Sequence, residues 1–300
     1  MTDNEYNFIL EDRIAKIQSI NQLYDLENNS YISYSGGKDS TILHYLIDLA
    51  LPDNHIPRVY ANTGIEYMLM VKYVKDLARN DDRIVILNQT RNIRRTLEQY
   101  GYPFKSKEHS QRVMEFNRNS QATFLRRYLD YNDIKCFKCP KKLLYQFEEI
   151  GKYNYSNQCC FKLKKELVHQ WQKISKKKIT ITGMRSDEGG TRKGLTCLTK
   201  NNTMFHPLIV VSSEWEEEFI KRNNIELCKL YYPPYNFKRT GCKGCPFNMK
   251  IQEDLNTLYK LLPSEYYQCL HLWKYVYDEY VRIGYRLKYY PHEKEVKEND

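Results

Sequence analysis

Ser35-Gly36-Gly37-Lys38-Asp39-Ser40 brings two glycines, a lysine, a carboxylate and two hydroxyls together between a short apolar run and an amphipathic one. Glycines let a backbone turn tightly and carry its amides close to a ligand. A helix that starts at such a turn adds unsatisfied N–H groups and the positive end of its dipole, which together suit a phosphate. Lys38 supplies a mobile positive charge, Asp39 is suited to Mg²⁺, and the hydroxyls of Ser35 and Ser40 can donate to phosphate oxygens. The spacing is neither that of a Walker A loop nor that of a dinucleotide fingerprint. The second chemical set is the nine cysteines. Met1 to Glu5 has neither a basic nor an apolar leader region, so no export signal and a cytoplasmic location are expected. Cysteines in that setting point to metal, cluster or redox chemistry rather than to a disulfide framework.

These residues need a scaffold, and the first half of the chain supplies the pattern of one. Residues 31–34, 58–61 and 83–87 read as strands, and residues 40–51, 66–78 and 90–100 read as helices between and after them. Strands alternating with helices of this length imply right-handed βαβ units, hence a parallel sheet with helices on both faces. A basic helix is expected over 110–129 and another over 161–173. A strand is expected over 178–182 and an extended run over 205–211. Ser213 followed by Glu216 has capping-box spacing and predicts a helix from there to 222. The Pro-, Gly- and Cys-rich stretch 231–247 reads as a structured loop, and 252–283 as helical. The expected organisation is an N-terminal helical segment over 1–27, a nucleotide-binding domain over 28–250 and a helical extension over 251–300.

The formal net charge of +10 favours anionic partners. The excess is gathered at Arg91, Arg94 and Arg95, at Arg126 and Arg127, and at Lys162, Lys164, Lys165 and Lys176 to Lys178. Each cluster reads equally as a solvated face, and as a set they admit a nucleic-acid substrate. No apolar run approaches the ~20 residues of a membrane span, so no membrane partner is expected.

At this point the sequence resembles a known family. The loop is similar to the PP-loop of N-type ATP pyrophosphatases. Further segments resemble the phosphoadenosine phosphosulfate (PAPS) reductase branch of that superfamily: Asn62-Thr63-Gly64-Ile65-Glu66, Gly183-Met184-Arg185-Ser186, His206-Pro207-Leu208 and Lys238 to Pro246, in family order. The resemblance implies an adenine-nucleotide α-hydrolase-like, Rossmann-like fold that binds ATP or a related adenosine nucleotide at the C-terminal edge of the sheet. It places Thr63 and Glu66 near the adenosine and Arg185 near the phosphates. The pair Cys159-Cys160 with Cys242-x-x-Cys245 is similar to the pattern that holds a [4Fe–4S] cluster in adenosine phosphosulfate (APS) reductases. Structural Zn²⁺ on the same four thiols, or on Cys136, Cys139, Cys242 and Cys245, remains open. Cys197, Cys228 and Cys269 read as small buried hydrophobes.

Three functions follow from the resemblance. An intact loop implies ATP pyrophosphatase chemistry: adenylation with release of pyrophosphate, then sulfur transfer from a donor protein, with DNA phosphorothioation and tRNA thiolation as relatives. Sulfonucleotide (APS or PAPS) reduction is the alternative, but its enzymes use a nucleophilic cysteine near the C-terminus, and residues 287–300 contain none. A non-catalytic nucleotide sensor or nucleic-acid-binding protein is the third.

Overall fold

The structure is a computed structural model that describes residues 1–132, 137–188, 192 and 194–293. The chain forms two compact units that interleave along the sequence: residues 1–88 with 167–240, and residues 89–166 with 241–300.

The first unit is built on five parallel strands: β1 (Ser30–Tyr34), β2 (Arg58–Asn62), β3 (Ile84–Asn88), β4 (Ile179–Ile181) and β5 (Met204–Phe205). Their spatial order is β3-β2-β1-β4-β5, with Tyr34 opposite Tyr60, Tyr60 opposite Ile86 and Ile32 opposite Ile181. Strand β1 is buried on both faces, as parallel strands covered by helices are. Ile32, Ile181 and Phe205 join a core with Ile17, Leu46 and Trp215, supplied by the helices Asp3–Tyr24, Lys38–Ala50 and Ser213–Arg222. Tyr31 points to the other face, where its ring meets Trp171 of the helix Glu166–Ile174 edge-on at 5.3 Å. The chain order reverses at β1 and β4, and the crevice outside the C-terminal ends of such strands is where open α/β sheets bind ligands.

The second unit is helical, with Ile93–Tyr100, Lys107–Arg118, Thr123–Leu129, Ile251–Leu261 and Pro263–Ile283 as its main helices. Phe104 is buried at its centre, stacked on Tyr155 at 4.4 Å and tilted against Tyr280 at 4.8 Å.

Several elements differ from the sequence expectation. The helix expected over 110–129 is two, with Asn119 ending the first. The helix expected over 252–283 divides at Leu262, because Pro263 has no N–H to continue the ladder and instead opens a new helix. The helix expected over 161–173 begins with a π-helical turn, Phe161–Lys165. The extended run over 205–211 pairs only through Phe205, since Pro207 cannot donate to a ladder. No described helix is long and apolar enough to cross a membrane.

Candidate nucleotide-phosphate site and cysteine site

In the first unit, the loop leaves β1 at Ser35 and enters the helix Lys38–Ala50, with Gly37 at the N-cap. Gly36 has φ +71°, and a Cβ there would lie against Met70 and 2.9 Å from Val74, so only glycine fits. Gly37 has no side chain to cap the helix, so the first-turn amides face the loop. The loop's serine side chains are bonded to each other and to its backbone. Ser35 Oγ lies 3.0 Å from Ser40 Oγ and accepts the Gly37 N–H at 3.3 Å, while Ser40 Oγ donates to the Gly37 carbonyl at 2.9 Å. Tyr231 Oη accepts the Lys38 N–H at 3.1 Å and is itself bound to Thr240 Oγ1 at 2.7 Å.

Four charges gather at the helix start. Lys38 Nζ is 3.2 Å from Glu216 Oε2, and Arg185 Nε is 3.2 Å from Glu216 Oε1 and 3.9 Å from Asp39 Oδ1. Arg185 is further held by Asp187 at 3.0 Å and by Ser213 Oγ at 3.1 Å. Glu216 is wholly buried (0 % exposed), yet neither of its carboxylate oxygens is aligned for a hydrogen bond. Burial pushes its carboxyl up to about 7, helped by the Asp39 charge and opposed by Arg185 and Lys38. The capping-box expectation for Ser213 and Glu216 is therefore corrected. Ser212 is the cap, accepting the Trp215 N–H at 3.2 Å, and Glu216 lies beside the phosphate loop instead. Sequence reasoning also missed Tyr231; among 27 tyrosines nothing local marks the one whose hydroxyl meets the loop.

Thr63 and Glu66 follow β2, and both are buried. They pair with each other: the Glu66 carboxylate accepts the Thr63 N–H at 2.8 Å and its hydroxyl at 2.9 Å.

The second unit carries the cysteines. Cys159 Sγ lies 4.0 Å from Cys160 Sγ in the short helix Gln158–Cys160. The contact with Cys160, then burial, then the charges of Cys160, Cys245 and Cys242 push the Cys159 thiol up. Cys160 is instead held down to about 6 by its contact with Cys159 and by Lys107, Lys164 and Lys165. The charges of Cys242 and Cys245 thus reach Cys159. A single metal ion would need every sulfur ~2.3 Å from it. No group of three or more His, Cys, Asp or Glu side chains among the described residues is arranged that way.

The loop that carries Cys242 and Cys245 is fastened by its carbonyls. Trp273 Nε1 donates to Lys243 O at 3.0 Å, Tyr277 to Gly244 O, Tyr280 to Pro246 O at 2.8 Å, and Arg286 to Phe247 O at 3.0 Å. Gly244, at φ +61°, lets the loop pass so close that a Cβ would sit 2.7 Å from Cys269 Sγ. Cys269 is a packing residue as expected, and burial pushes its thiol up to about 12. Cys139 is buried, with its thiol pushed up to about 11 by that burial, and Cys136 lies outside the described residues. Of the basic clusters, Arg91 and Lys162 pair with Glu166, and Arg94 pairs with Glu98.

A central parallel strand, a serine-glycine turn and an uncapped helix start flanked by lysine and arginine define a nucleotide-binding protein of the PP-loop type. The chain belongs to the phosphoadenosine phosphosulfate reductase domain family, which it matches over residues 29–130 and 121–248. An uncharacterized protein of Methanocaldococcus jannaschii, MJ0973, is 24 % identical over 296 residues, covering 94 % of this chain and 59 % of that relative; the chain spans under two thirds of its length. Among solved structures, the phosphoadenylyl-sulfate reductase of Candida auris is similar at 11 % identity, with a TM-score of 0.45 over 81 % of this chain and 96 % of that one. The U34-tRNA thiolase NcsA of Methanococcus maripaludis, with its [4Fe–4S] cluster, is similar at 14 % identity, with a TM-score of 0.41 over 92 % and 80 %.

Proposed function

We propose that this chain binds ATP with its phosphates on Ser35, Gly36, Gly37, Lys38, Asp39 and Ser40, and transfers the adenylyl group to an acceptor as a step in sulfur transfer. The observation that carries this reading is the glycine-capped start of Lys38–Ala50, directly after β1, with Lys38 and Arg185 gathered beside it. An acceptor oxygen attacks the α-phosphorus, and the bond from that phosphorus to the bridging oxygen breaks. Pyrophosphate leaves with the electron pair. Loop amides and Lys38 offset the charge that develops on it, and Asp39 would hold the Mg²⁺ that accompanies ATP, which would supply further charge neutralisation. A hydrosulfide ion then forms a bond to the activated acceptor atom, whose bond to oxygen breaks, so that AMP leaves with that oxygen and the acceptor carries the sulfur. Thr63 and Glu66, at the C-terminal end of β2, are assigned to the adenosine side.

The donor set Cys159, Cys160, Cys242 and Cys245 fits a [4Fe–4S] cluster, which requires four thiolates. The charges of Cys242 and Cys245 reach Cys159, and lysines lie around Cys160, which supports a shared metal centre that carries net negative charge. When bound, such a cluster supplies sulfur-binding or one-electron chemistry. The protein's own contribution there is to hold the 242–247 loop rigid through Trp273, Tyr277, Tyr280 and Arg286. Lys164 and Lys165 beside Cys160 make a nucleic acid the acceptor class this reading favours.

The test is anaerobic purification with iron and sulfide analysis. Pyrophosphate release from Mg-ATP is then followed with and without tRNA or DNA and a sulfide source. About four irons and four sulfides, with release that depends on nucleic acid, is the expected result. Absence of any ATP binding by the iron-loaded protein ends the reading.

A further inference from the structure

Glu216 is not a group that a phosphate-binding site needs. Its carboxyl is wholly buried, and both of the oxygens lack an aligned hydrogen-bond partner among the described residues. Burying its charge costs several kcal/mol unless something compensates it, and the compensation here is Lys38 Nζ and Arg185 Nε, each 3.2 Å away. These are the two cations that the proposed function assigns to the phosphates. Asp39 adds a second carboxylate 3.9 Å from Arg185, and Asp187 a third at 3.0 Å, so both cations are already engaged by carboxylates.

We infer that Glu216 is an internal counter-anion that occupies Lys38 and Arg185 and competes with the phosphates of the ligand, so that it weakens anion binding and speeds departure of pyrophosphate. The inference rests on the nucleotide reading and deepens it by adding a positioning residue on the helix Ser213–Arg222. Two features separate this role from plain packing. The neighbours of Glu216 that fill the core are Trp215 and Phe219, both apolar and wholly buried, and neither needs a carboxylate beside it. Arg185 has partners of its own in Asp187 and Ser213, so it keeps its place when the charge on Glu216 is removed. Lys38, whose side chain is about a quarter exposed (27 %), is then released toward the loop. A ligand phosphate therefore meets one more unit of positive charge in the variant than in the unaltered protein.

Inorganic pyrophosphate is the probe, titrated calorimetrically with Mg²⁺ present into the full chain and into Glu216→Gln and Glu216→Asp. E216Q is expected to bind pyrophosphate at least about tenfold more tightly. E216D keeps the charge but draws it back by one methylene, and it should fall between E216Q and the unaltered protein. A side chain that only supports the fold would weaken binding when changed, so the sign of the effect discriminates, and E216D carries the test alone if E216Q does not fold. Equal or weaker binding by the variants overturns the inference while leaving the nucleotide reading standing. No binding of pyrophosphate or ATP by the unaltered protein removes both.

Discussion

The two units solve opposite problems with their backbones. At the phosphate loop, the amides of a helix start are left facing the loop, and the side chains around them are tied to one another. In the Cys242–Cys245 loop, the carbonyls are tied down one after another by donors from the last long helix and from Arg286. An anion needs donors, and an uncapped helix start presents them within one contiguous segment. A loop that holds thiolates must not offer carbonyl oxygens to them. The carbonyls of Cys242 and Cys245 accept local backbone N–H groups, but those of Lys243, Gly244, Pro246 and Phe247 find partners 30 or more positions further along, which takes a separate element.

The largest effect expected from breaking this contrast is at the thiols. Cys242→Ser combined with Cys245→Ser removes half of the donor set and should abolish iron and sulfide binding, read by metal analysis and loss of visible absorbance. ATP binding should persist, because none of the loop's contacts involve these residues. Lys38→Ala is the converse: metal content unchanged, and ATP-dependent pyrophosphate release reduced about a hundredfold, the scale on which a single charge-stabilising donor acts. A double cysteine variant that also loses ATP binding would show that the two regions do not function separately.

How far the sequence revealed these two regions follows from the same contrast. Ser35 to Ser40 was legible because strand, turn and helix start are consecutive, so chemistry and geometry share one stretch of chain. The parallel sheet was legible for the same reason, through the alternation of apolar runs with amphipathic ones. Glu216 was not, because Ser213 and Glu216 have capping-box spacing while Ser212, the actual cap, has Trp215 three residues on, so the local pattern points to the wrong serine. The answer comes from tertiary packing: Trp215 and Phe219 turn into the core and carry Glu216 with them. Tyr231 was hidden by the abundance of its residue type. The grouping of residues 89–166 with 241–300 has no local signal at all, since it depends on which distant segments bury each other. Pro263 is a stop inside an otherwise helical pattern, which the expectation of one helical stretch over 252–283 passed over.

A smaller effect sharpens the account of the cysteine loop. Tyr277→Phe removes one hydroxyl and changes little else, leaving the buried Gly244 carbonyl without its donor. An unmet buried carbonyl costs about 1–2 kcal/mol, which should appear as a lower urea midpoint at unchanged slope. The variant should also lose iron to a chelator faster than the unaltered protein. Unchanged chelation kinetics would mean that the carbonyl ties hold the fold and not the thiols.

The smallest expected effect compares two inward-facing carboxylates. Glu216 lies between two cations, whereas Asp254 in the second unit has Asn248 as its hydrogen-bond donor at 2.6 Å, with Glu253 and Lys250 as charged neighbours. Burial raises the Asp254 carboxyl from an ordinary 3.8 to about 6, with Glu253 adding to the rise and Asn248 and Lys250 opposing it. The folded state therefore holds this proton more tightly than the unfolded state does. Stability falls as pH rises from about 4 to about 6, and the whole deficit is present above that range. Asp254→Asn keeps an acceptor for Asn248 and removes the charge, so it should stabilise the protein at pH 7.5 and give no gain below pH 4. Partial solvent access reduces the effect to about 1 kcal/mol. Urea unfolding at the two pH values measures it. Equal gains at both would show that the carboxylate charge is not what costs stability at this site, and the contrast with a cation-paired Glu216 would then lie in packing rather than in electrostatics.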